Sequence, residues 1–442
     1  MASPPQRSAH SKEQAPLEKI AKPQTPLALA GYRVLDLTGE IGHYCGKMLG
    51  DMGADVIKIE PPGGDPVRFI GPYYKDQRDP DKSLRWFSAN TSKRGVTLDL
   101  SKPQGRRIME KLLPTAQVIV TSWTRKEAQA LGMDEAAVRR RYPNLIYTSI
   151  TGYGLDGPYA NYRWADITGM ALGGLMYLMG DPDRPPIVFR APQAYFHASS
   201  QGALGTALAL YHRTRTGIGQ LLDVSMQEAV TFNLNGPGTI VSWWTVEKSG
   251  IRREGGSLNF RFIKWHVMLP CKDGYTANTG VLGWDKFPVL RDLMAKEGVA
   301  EDLLDPKWES ATSFPPGPGQ WQCTQAELDY VYDVFTKWQM RHTKEEILEL
   351  AVKHALPVFP VNASDDLLHS RQLEAREYWI DVPHPELGTT IRYPGGHVKL
   401  SGTPMRISRR APLIGEHNTE IYRDELGISE SELRDLRAAK VL

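Results

Sequence analysis

Three aspartates in the middle of the chain are candidates for nucleophilic chemistry: Asp166, Asp181 and Asp183. An ionised carboxylate can act as a nucleophile and form a covalent intermediate, which divides one difficult reaction into easier steps. Each aspartate also has a plainer interpretation. Asp166 precedes an apolar run, Ile167 to Met176, where an aspartate is typical of a helix N-cap. Asp181 and Asp183 lie in a proline-rich segment and have the character of turn residues.

Two histidines stand beside aromatic residues in segments that could line a pocket. His43 precedes Tyr44, and His197 follows Tyr195 and Phe196. An imidazole in such a position can bind a ligand. A single histidine more often packs in the interior as a hydrogen-bonding residue, and both interpretations stay open here.

The elements that must position these side chains alternate between strands and helices. Residues 32–37 and 55–59 are short apolar runs, and the stretch between them has helical character up to Met52. A strand, a helix and a strand in about thirty residues predict a βαβ unit and a parallel sheet. The pattern recurs further along the chain. It continues with a helix at 105–113, strands at 118–120 and 145–151, and a helical run at 200–210. This half of the chain is therefore predicted to be Rossmann-like, in an α/β fold.

The predicted organisation has four parts. Residues 1–28 are rich in Pro, Gln, Lys and Ser and are expected to form a disordered leader. Residues 29–235 begin the large domain, and residues 236–370 form a linker and a smaller α+β domain that contains an amphipathic helix at 327–338. Residues 371–442 are expected to return to the large domain.

The bulk composition agrees with a cytoplasmic enzyme subunit. The chain has 442 residues, 41% of them hydrophobic, and a formal net charge of +2, which indicates neither a nucleic-acid partner nor an anionic membrane surface. No apolar run approaches the roughly 18 to 20 residues that a membrane span needs. Cys45, Cys271 and Cys323 lack a CxxC spacing, so neither a disulfide framework nor a zinc site is predicted. The Gly63-Gly64 pair is not the GxGxxG fingerprint, so no nicotinamide or flavin cofactor is indicated.

A series of motifs in a fixed order carries a resemblance to a known family. The motifs are Leu29 to Thr38, Met48 to Glu60, Lys93 to Leu100, Gly152-Tyr-Gly154, Thr216 to Gln220, Asp223 to Ala229, His384 to Gly388, Leu400 to Pro404 and Ala411 to His417. Together they make the chain similar to the family III CoA-transferases, the CaiB/BaiF family, from Leu29 to Leu442. The resemblance implies a Rossmann-like large domain, a smaller domain, and two subunits threaded through one another as interlocked rings.

The resemblance also implies a reaction. Family members move CoA from a donor thioester to a carboxylate acceptor through an aspartate, which forms a mixed anhydride and then an enzyme-bound thioester. Backbone N–H groups of a glycine-rich loop stabilise the tetrahedral intermediates and exclude water. Coenzyme A thioesters are then substrates, and no bound cofactor or metal is expected.

The chain departs from the family pattern at three points. When the chain is aligned with the family pattern by counting back from Thr216 to Gln220, no gap is needed and the position of the family aspartate falls on Tyr195. The phenol of a tyrosine is neutral at pH 7. The glycine loop is reduced to Gly255-Gly256, and an arginine that many relatives carry ahead of Leu131 corresponds to Ala130. These losses indicate that this subunit has no nucleophile of its own. Asp166 is the alternative if the true nucleophile lies upstream.

The resemblance assigns CoA-binding roles to several residues. Leu98 falls where relatives pack the adenine ring, the Lys93-Arg94 pair could meet the CoA phosphates, and Arg125 and Lys126 lie close enough to replace the charge lost at Ala130. The other expected contacts are Leu131, His197, Gly255 and Gly256.

A division of labour between paralogous subunits explains a missing nucleophile. The chain resembles the aspartate-lacking subunits of benzylsuccinate CoA-transferases of anaerobic toluene breakdown, in which a paralogous partner carries the aspartate. The implied reaction exchanges CoA between succinyl-CoA and an aryl-substituted succinate such as (R)-benzylsuccinate. Three alternatives stay open: a homomeric transferase that uses Asp166, a non-catalytic acyl-CoA-binding protein, and an acyl-CoA racemase. A racemase would need a histidine before Asp166, where this chain has Ala165.

Overall fold

A computed structural model describes residues 26–234, 248, 253–260, 263–278, 286–308 and 324–442. Four predicted features lie wholly or partly outside the described residues. They are residues 1–25 of the predicted leader, part of the predicted linker after residue 234, most of the Pro/Gly-rich stretch before residue 324, and Cys323.

A parallel sheet of six strands forms the centre of the first half of the described chain, in the order β3-β2-β1-β4-β5-β6. The strands are β1 (Arg33–Leu37), β2 (Asp55–Glu60), β3 (Lys93–Thr97), β4 (Val118–Thr121), β5 (Ile146–Thr151) and β6 (Leu221–Ser225). β3, β4 and β5 are buried along their whole length, as in parallel sheets covered on both faces. The predicted βαβ units and the parallel sheet are present.

Helices cover both faces of this sheet. They are α1 (Glu40–Asp51), α2 (Leu84–Ala89), α3 (Pro103–Leu112), α4 (Arg125–Ala130), α5 (Glu135–Arg141), α6 (Asp166–Leu172), α7 (Gln193–Thr216) and α8 (Met226–Phe232). Successive strand residues belong to different cores because side chains alternate along a strand: Val34 packs with α1 and α7, and Leu35 packs with α3. Two hydrophobic cores, one on each face, therefore hold the sheet in place.

A further hydrophobic core lies among the described residues in the middle of the chain. Its strands are β7 (Ser257–Phe260), β8 (Ile263–His266), β9 (Met268–Cys271), β10 (Gly274–Asn278) and β11 (Val358–Pro360), and its helices are α9 (Lys286–Lys296), α10 (Gln325–Gln339) and α11 (Lys344–His354). β9, β10 and β11 form an antiparallel sheet, and β7 pairs with β8. Thr324 and Glu327 make a capping box that fixes the start of α10. Phe335 and Trp338 of α10 are buried in this core.

The end of the C-terminal segment packs against the six-stranded sheet. Its elements are α12 (Ser364–Leu368), α13 (Arg371–Ala375), β12 (Trp379–His384), β13 (Thr389–Pro394), a π-helical turn (Thr419–Glu425) and α14 (Glu430–Ala438). Ile421, Tyr422 and Leu433 are buried in the core that contains Leu35. The Tyr422 hydroxyl donates to the carbonyl oxygen of Thr97 at 3.0 Å, which ties this segment to the end of β3.

Two helices differ from their predicted lengths. The run predicted to be helical from Ile167 to Met176 ends at Leu172, because Gly173 and Gly174 follow and Gly174 adopts a φ of +88°. α7 is longer than the predicted run at 200–210 and extends to Thr216, where Gly217 in the left-handed conformation ends it.

Candidate active site

A cavity of about 420 Å³ opens at the carboxyl ends of β1, β2, β3 and β4. The strand order reverses between β1 and β4, and ligands of open parallel sheets bind at this kind of crevice. Its lining residues are Leu37, Thr38, Gly39, Ile59, Glu60, Pro61, Asp65, Pro66, Leu98, Asp99, Leu100, Ser101, Ser122, Trp123 and Leu131. Apolar side chains dominate the walls, which suits a flat ring.

The cavity contains two of the side chains expected to bind CoA. Leu98 directly follows β3, and Leu131 lies at the end of α4, so the two approach one cavity from neighbouring loops. The backbone N–H of Gly39 donates to Ser122 Oγ at 2.7 Å and joins the loops that follow β1 and β4. Trp123, which sequence reasoning did not single out, lines the same cavity.

Beneath the cavity lies a buried network of charges. Lys93 Nζ donates to Asp36 Oδ2 at 2.8 Å, to the carbonyl oxygen of His43 at 2.7 Å and to Asn90 Oδ1 at 2.7 Å. Lys58 is also buried and lies 3.7 Å from Asp36. Burial opposes ionisation of Asp36, but the two ammonium groups hold the pKa of this carboxyl below its usual range. The network is structural, since its members are enclosed by protein.

The expectation that Lys93 meets a CoA phosphate is wrong for this structure. Its side chain is completely buried, and its three ammonium hydrogens have three acceptors within the protein. The same holds for Arg94, which is 9% exposed and paired with Asp55, Glu420 and Glu425. The sequence showed two adjacent cations but not their burial.

Arg94 instead attaches the C-terminal segment to the sheet, and its replacement should show this. We expect Arg94→Ala to lower the free energy of unfolding by about 1 kcal/mol, since its carboxylate partners remain partly hydrated. Hydrogen exchange should accelerate in residues 419–438. Arg392→Ala, which removes an exposed pair with Asp381 outside this segment, is the matched control and should leave exchange in residues 419–438 unchanged. Unchanged exchange in Arg94→Ala would show that the hydrophobic contacts alone hold the segment.

The two cations expected to replace the lost arginine differ in availability. Arg125 donates to the carbonyl oxygen of Leu155 and pairs with Glu135 at 2.8 Å. Lys126 is exposed in the first turn of α4, and the described residues provide no ion pair for it. Lys126 is therefore the better placed of the two for an anionic ligand.

Tyr195 lies in the first turn of α7, where the family aspartate is expected. Its side chain packs partly against the core that contains Val34. Burial, reinforced by the carboxylates of Glu40 and Asp166, raises the pKa of Tyr195 to about 12. The phenol is therefore neutral near pH 7 and cannot replace a carboxylate nucleophile.

Asp166 contacts the backbone of Tyr195. Its Oδ1 accepts a hydrogen bond from the N–H of Tyr195 at 2.9 Å. Burial raises the pKa of Asp166, whereas the N–H groups of Tyr195 and Ala194 favour its charged form. The predicted N-cap role is thus wrong in its details: Asp166 is the first residue of α6, and its carboxylate caps α7 instead.

Glu40 and Arg85 complete the surroundings of Tyr195 and were missed from the sequence. Arg85 Nε donates to Glu40 Oε1, which joins α2 to the first turn of α1. Both charges act on the pKa of Tyr195 and of Asp166. Forty-five positions separate the two residues, and no local pattern could have paired them.

The two histidines have partners within the protein. His43 is completely buried, with Nε2 at 3.1 Å from Asp65 Oδ2, so burial lowers its pKa and the plainer interpretation of a packed histidine holds. Asn233 Nδ2 donates to His197 Nδ1 at 2.9 Å. Burial also lowers the pKa of His197, which lies two residues after Tyr195. His197 is half-buried, and the described residues give its other ring nitrogen no hydrogen-bond partner.

The Gly255-Gly256 turn precedes β7. Gly255 has a φ of +62°, and a Cβ atom there would lie 2.5 Å from Asp181 Oδ1. Asp181 and Asp183 are exposed in a turn, as predicted. The structure therefore brings Asp181 to the glycine turn, and a side chain at Gly255 would prevent that approach.

Comparison with known proteins gives the fold and the site their context. A sequence model of CoA-transferase family III matches residues 29–418. The chain belongs to this family. The chain is 35% identical to subunit BbsE of the succinyl-CoA:(R)-benzylsuccinate CoA-transferase of Thauera aromatica, over 88% of this chain and 92% of that one. It is 30% identical to the beta subunit of the succinyl-CoA–L-malate CoA-transferase of Chloroflexus aurantiacus, over 95% and 99% of the two chains.

A solved structure shares the architecture. The crystal structure of a CaiB/BaiF family protein from Brucella suis superposes with a TM-score of 0.76, at 24% identity, over 90% of this chain and all of that one. As a family III CoA-transferase, the chain has CoA thioesters as its substrates. No described helix is both long and apolar enough to cross a membrane. The described residues also contain no group of three or more His, Cys, Asp or Glu side chains placed to hold a metal ion.

Proposed function

We propose that this chain is the non-nucleophilic subunit of a heteromeric CoA-transferase. The reaction exchanges CoA between succinyl-CoA and an aryl-substituted dicarboxylate such as (R)-benzylsuccinate, and a paralogous subunit supplies the aspartate. One observation carries this proposal: Tyr195, the residue that the family resemblance places at the nucleophile position, is a neutral phenol whose pKa is raised to about 12 by burial. The nearby carboxylate of Asp166 accepts backbone N–H groups of α7.

The partner and the substrates are inferred from relatives. Two similar proteins are described as subunits, one of a benzylsuccinate and one of an L-malate CoA-transferase, and both enzymes use succinyl-CoA. In the proposed pair, two subunits interlock as rings. This chain contributes the cavity with Leu98 and Leu131 and the turn at Gly255-Gly256, and the partner's aspartate attacks the thioester.

The CoA adenine ring is proposed to lie between Leu98 and Leu131, with the phosphates directed towards Lys126. We expect Lys126→Ala to raise the KM of the pair for succinyl-CoA about 5-fold without changing kcat, because an exposed ion pair contributes little and acts on binding alone. The difference in KM between Lys126→Ala and the wild type should shrink as salt is added. Lys111→Ala, which removes an exposed lysine of α3 that does not line the cavity, should leave KM unchanged. An unchanged KM in Lys126→Ala would place the phosphates elsewhere.

CoA transfer from succinyl-CoA to a panel of dicarboxylates tests the proposed function. The assay compares this chain alone, an aspartate-bearing paralogue alone, and the two expressed together. Activity confined to the mixture, and greatest with aryl-substituted succinates, is the expected result. Full activity from this chain alone would contradict the proposal.

One observation favours a second function, a homomeric transferase. The Asp166 carboxylate lies 2.9 Å from the backbone nitrogen of Tyr195, so a carboxylate does occupy the neighbourhood of the lost nucleophile. Two N–H groups that stabilise its charge also reduce its reactivity, which is why the heteromer is preferred.

A further inference from the structure

Arg253 joins two loops through a set of backbone contacts. Its Nε donates to the carbonyl oxygen of Asp181 at 3.1 Å, its Nη1 to that of Tyr177 at 3.0 Å and its Nη2 to that of Arg184 at 3.0 Å. The guanidinium carbon also lies 5.4 Å from the centre of the Tyr177 ring. Every guanidinium nitrogen therefore contacts the segment 177–184.

This arrangement depends on the shape of the arginine side chain. The planar guanidinium presents five N–H donors in a rigid fork, so it can satisfy three converging carbonyl groups at once. A lysine ammonium carries a similar charge but has no fork of that span. Hydrogen bonds from a charged donor are also stronger than those between neutral groups.

The contacts place the glycine turn directly on this segment. Gly255 lies two residues after Arg253. Because Gly255 has no side chain, Asp181 Oδ1 can approach it closely: a Cβ atom on Gly255 would lie only 2.5 Å from that oxygen. A residue other than glycine would also be strained at the Gly255 φ of +62°. The close approach and the three carbonyl contacts therefore both tie the turn to segment 177–184.

The segment held by Arg253 shares a hydrophobic core with Tyr195. Met179, within the segment, and Met176, just before it, pack against the same core as Tyr195. Arg253 thus connects the Gly255-Gly256 turn to the surroundings of the position where relatives carry their nucleophile.

We propose that Arg253 is a positioning residue that holds the Gly255-Gly256 turn closed over the acyl site of the transferase. The proposal rests on the proposed function, in which this turn forms part of the pocket, and on the role of excluding water that the family resemblance implies for the glycine loop. It assigns no contact between Arg253 and the substrate. Without the guanidinium of Arg253 the turn is free to open, and water then competes with the acceptor carboxylate for the acyl group.

The test measures transfer and hydrolysis of succinyl-CoA together, in the co-expressed pair. Arg253→Ala and Arg253→Lys should each lower the ratio of transfer to hydrolysis about 10-fold, since a loosened turn misplaces the reacting groups and admits water. The KM for succinyl-CoA should change little. Arg190→Ala removes an exposed arginine to which the described residues give no partner, and this control should keep the wild-type ratio. A wild-type ratio in Arg253→Lys would overturn the proposal.

Hydrogen exchange of the chain alone tests the contact independently of activity. Residues 177–184 should exchange faster in Arg253→Lys than in the wild type, with the rest of the chain unchanged. Unchanged exchange in that segment would refute the positioning role even if the pair is active. Faster exchange combined with an inactive wild-type pair would refute the proposed function and leave the Arg253 contact standing.

Discussion

Replacing Asp36 by asparagine should lower the free energy of unfolding by about 3–5 kcal/mol, the usual cost of removing one partner from a buried ion pair. Asp36 and Lys93 are both completely buried, and their charged atoms lie 2.8 Å apart. Asparagine keeps the size of the side chain but leaves the Lys93 ammonium without its countercharge. Chemical denaturation of the wild type and the variant measures the difference.

Two further variants separate the charge from the packing. Asp36→Leu combined with Lys93→Met removes both charges and should recover part of the loss, because the desolvation cost of the pair disappears with it. Asp381→Asn, in an exposed pair with Arg392, should have no measurable effect. A loss below about 1 kcal/mol in Asp36→Asn would show that the ion pair is not needed for the sheet to form.

The same pair predicts how stability depends on pH. The pKa of Asp36 is lower in the folded chain than in the unfolded chain, so its contribution is fully present above the unfolded value near 3.8. That contribution is lost as the pH falls through the folded pKa. The difference in stability between the wild type and Asp36→Asn should therefore be constant near neutrality and shrink below about pH 4.

Replacing Asp166 by alanine should weaken the fold and leave catalysis by the pair intact. Its carboxylate accepts the N–H of Tyr195 at 2.9 Å at the start of α7, and loss of such a cap costs about 1–2 kcal/mol. Because this account places the nucleophile on the partner, kcat of the pair should stay within about 3-fold of the wild type. Denaturation and steady-state kinetics measure the two effects separately.

Asp166→Asn is the matched control for the cap. An asparagine still offers an oxygen acceptor to the backbone N–H, so it should recover most of the stability lost in Asp166→Ala. Neither variant should change the transfer activity of the pair. A fall in activity of about 1,000-fold or more in both variants would instead identify Asp166 as the nucleophile.

The sequence predicted those parts of the fold that are marked by a pattern of neighbouring residues, such as a short apolar run. The apolar runs at 32–37 and 55–59 correspond to β1 and β2, where the buried residues Val34, Leu35, Val56 and Ile57 supply the apolar signal. The end of α6 was misjudged because an apolar run through Gly173 and Gly174 resembles a helix until the packing is known. The positive φ of Gly174 decides the boundary.

The site was harder to predict, because charge in a sequence does not reveal burial. Lys93 and Arg94 looked like phosphate contacts, yet their partners come from Asp36 and from Glu420, more than fifty and more than three hundred positions away. Leu98 and Leu131 share one cavity because of the strand order, and family resemblance alone indicated them. The contact of Arg253 with segment 177–184 has no sequence signal.

The central claim, that this subunit carries no nucleophile, is tested most directly by trapping the covalent intermediate. The co-expressed pair is incubated with succinyl-CoA and quenched with hydroxylamine, which converts an anhydride or thioester on a carboxylate side chain into a stable hydroxamate. Peptide mass spectrometry then locates the modified residue. The account predicts a hydroxamate on an aspartate of the paralogous subunit and none on this chain. A hydroxamate at Asp166 would contradict it and make this chain a nucleophilic transferase in its own right.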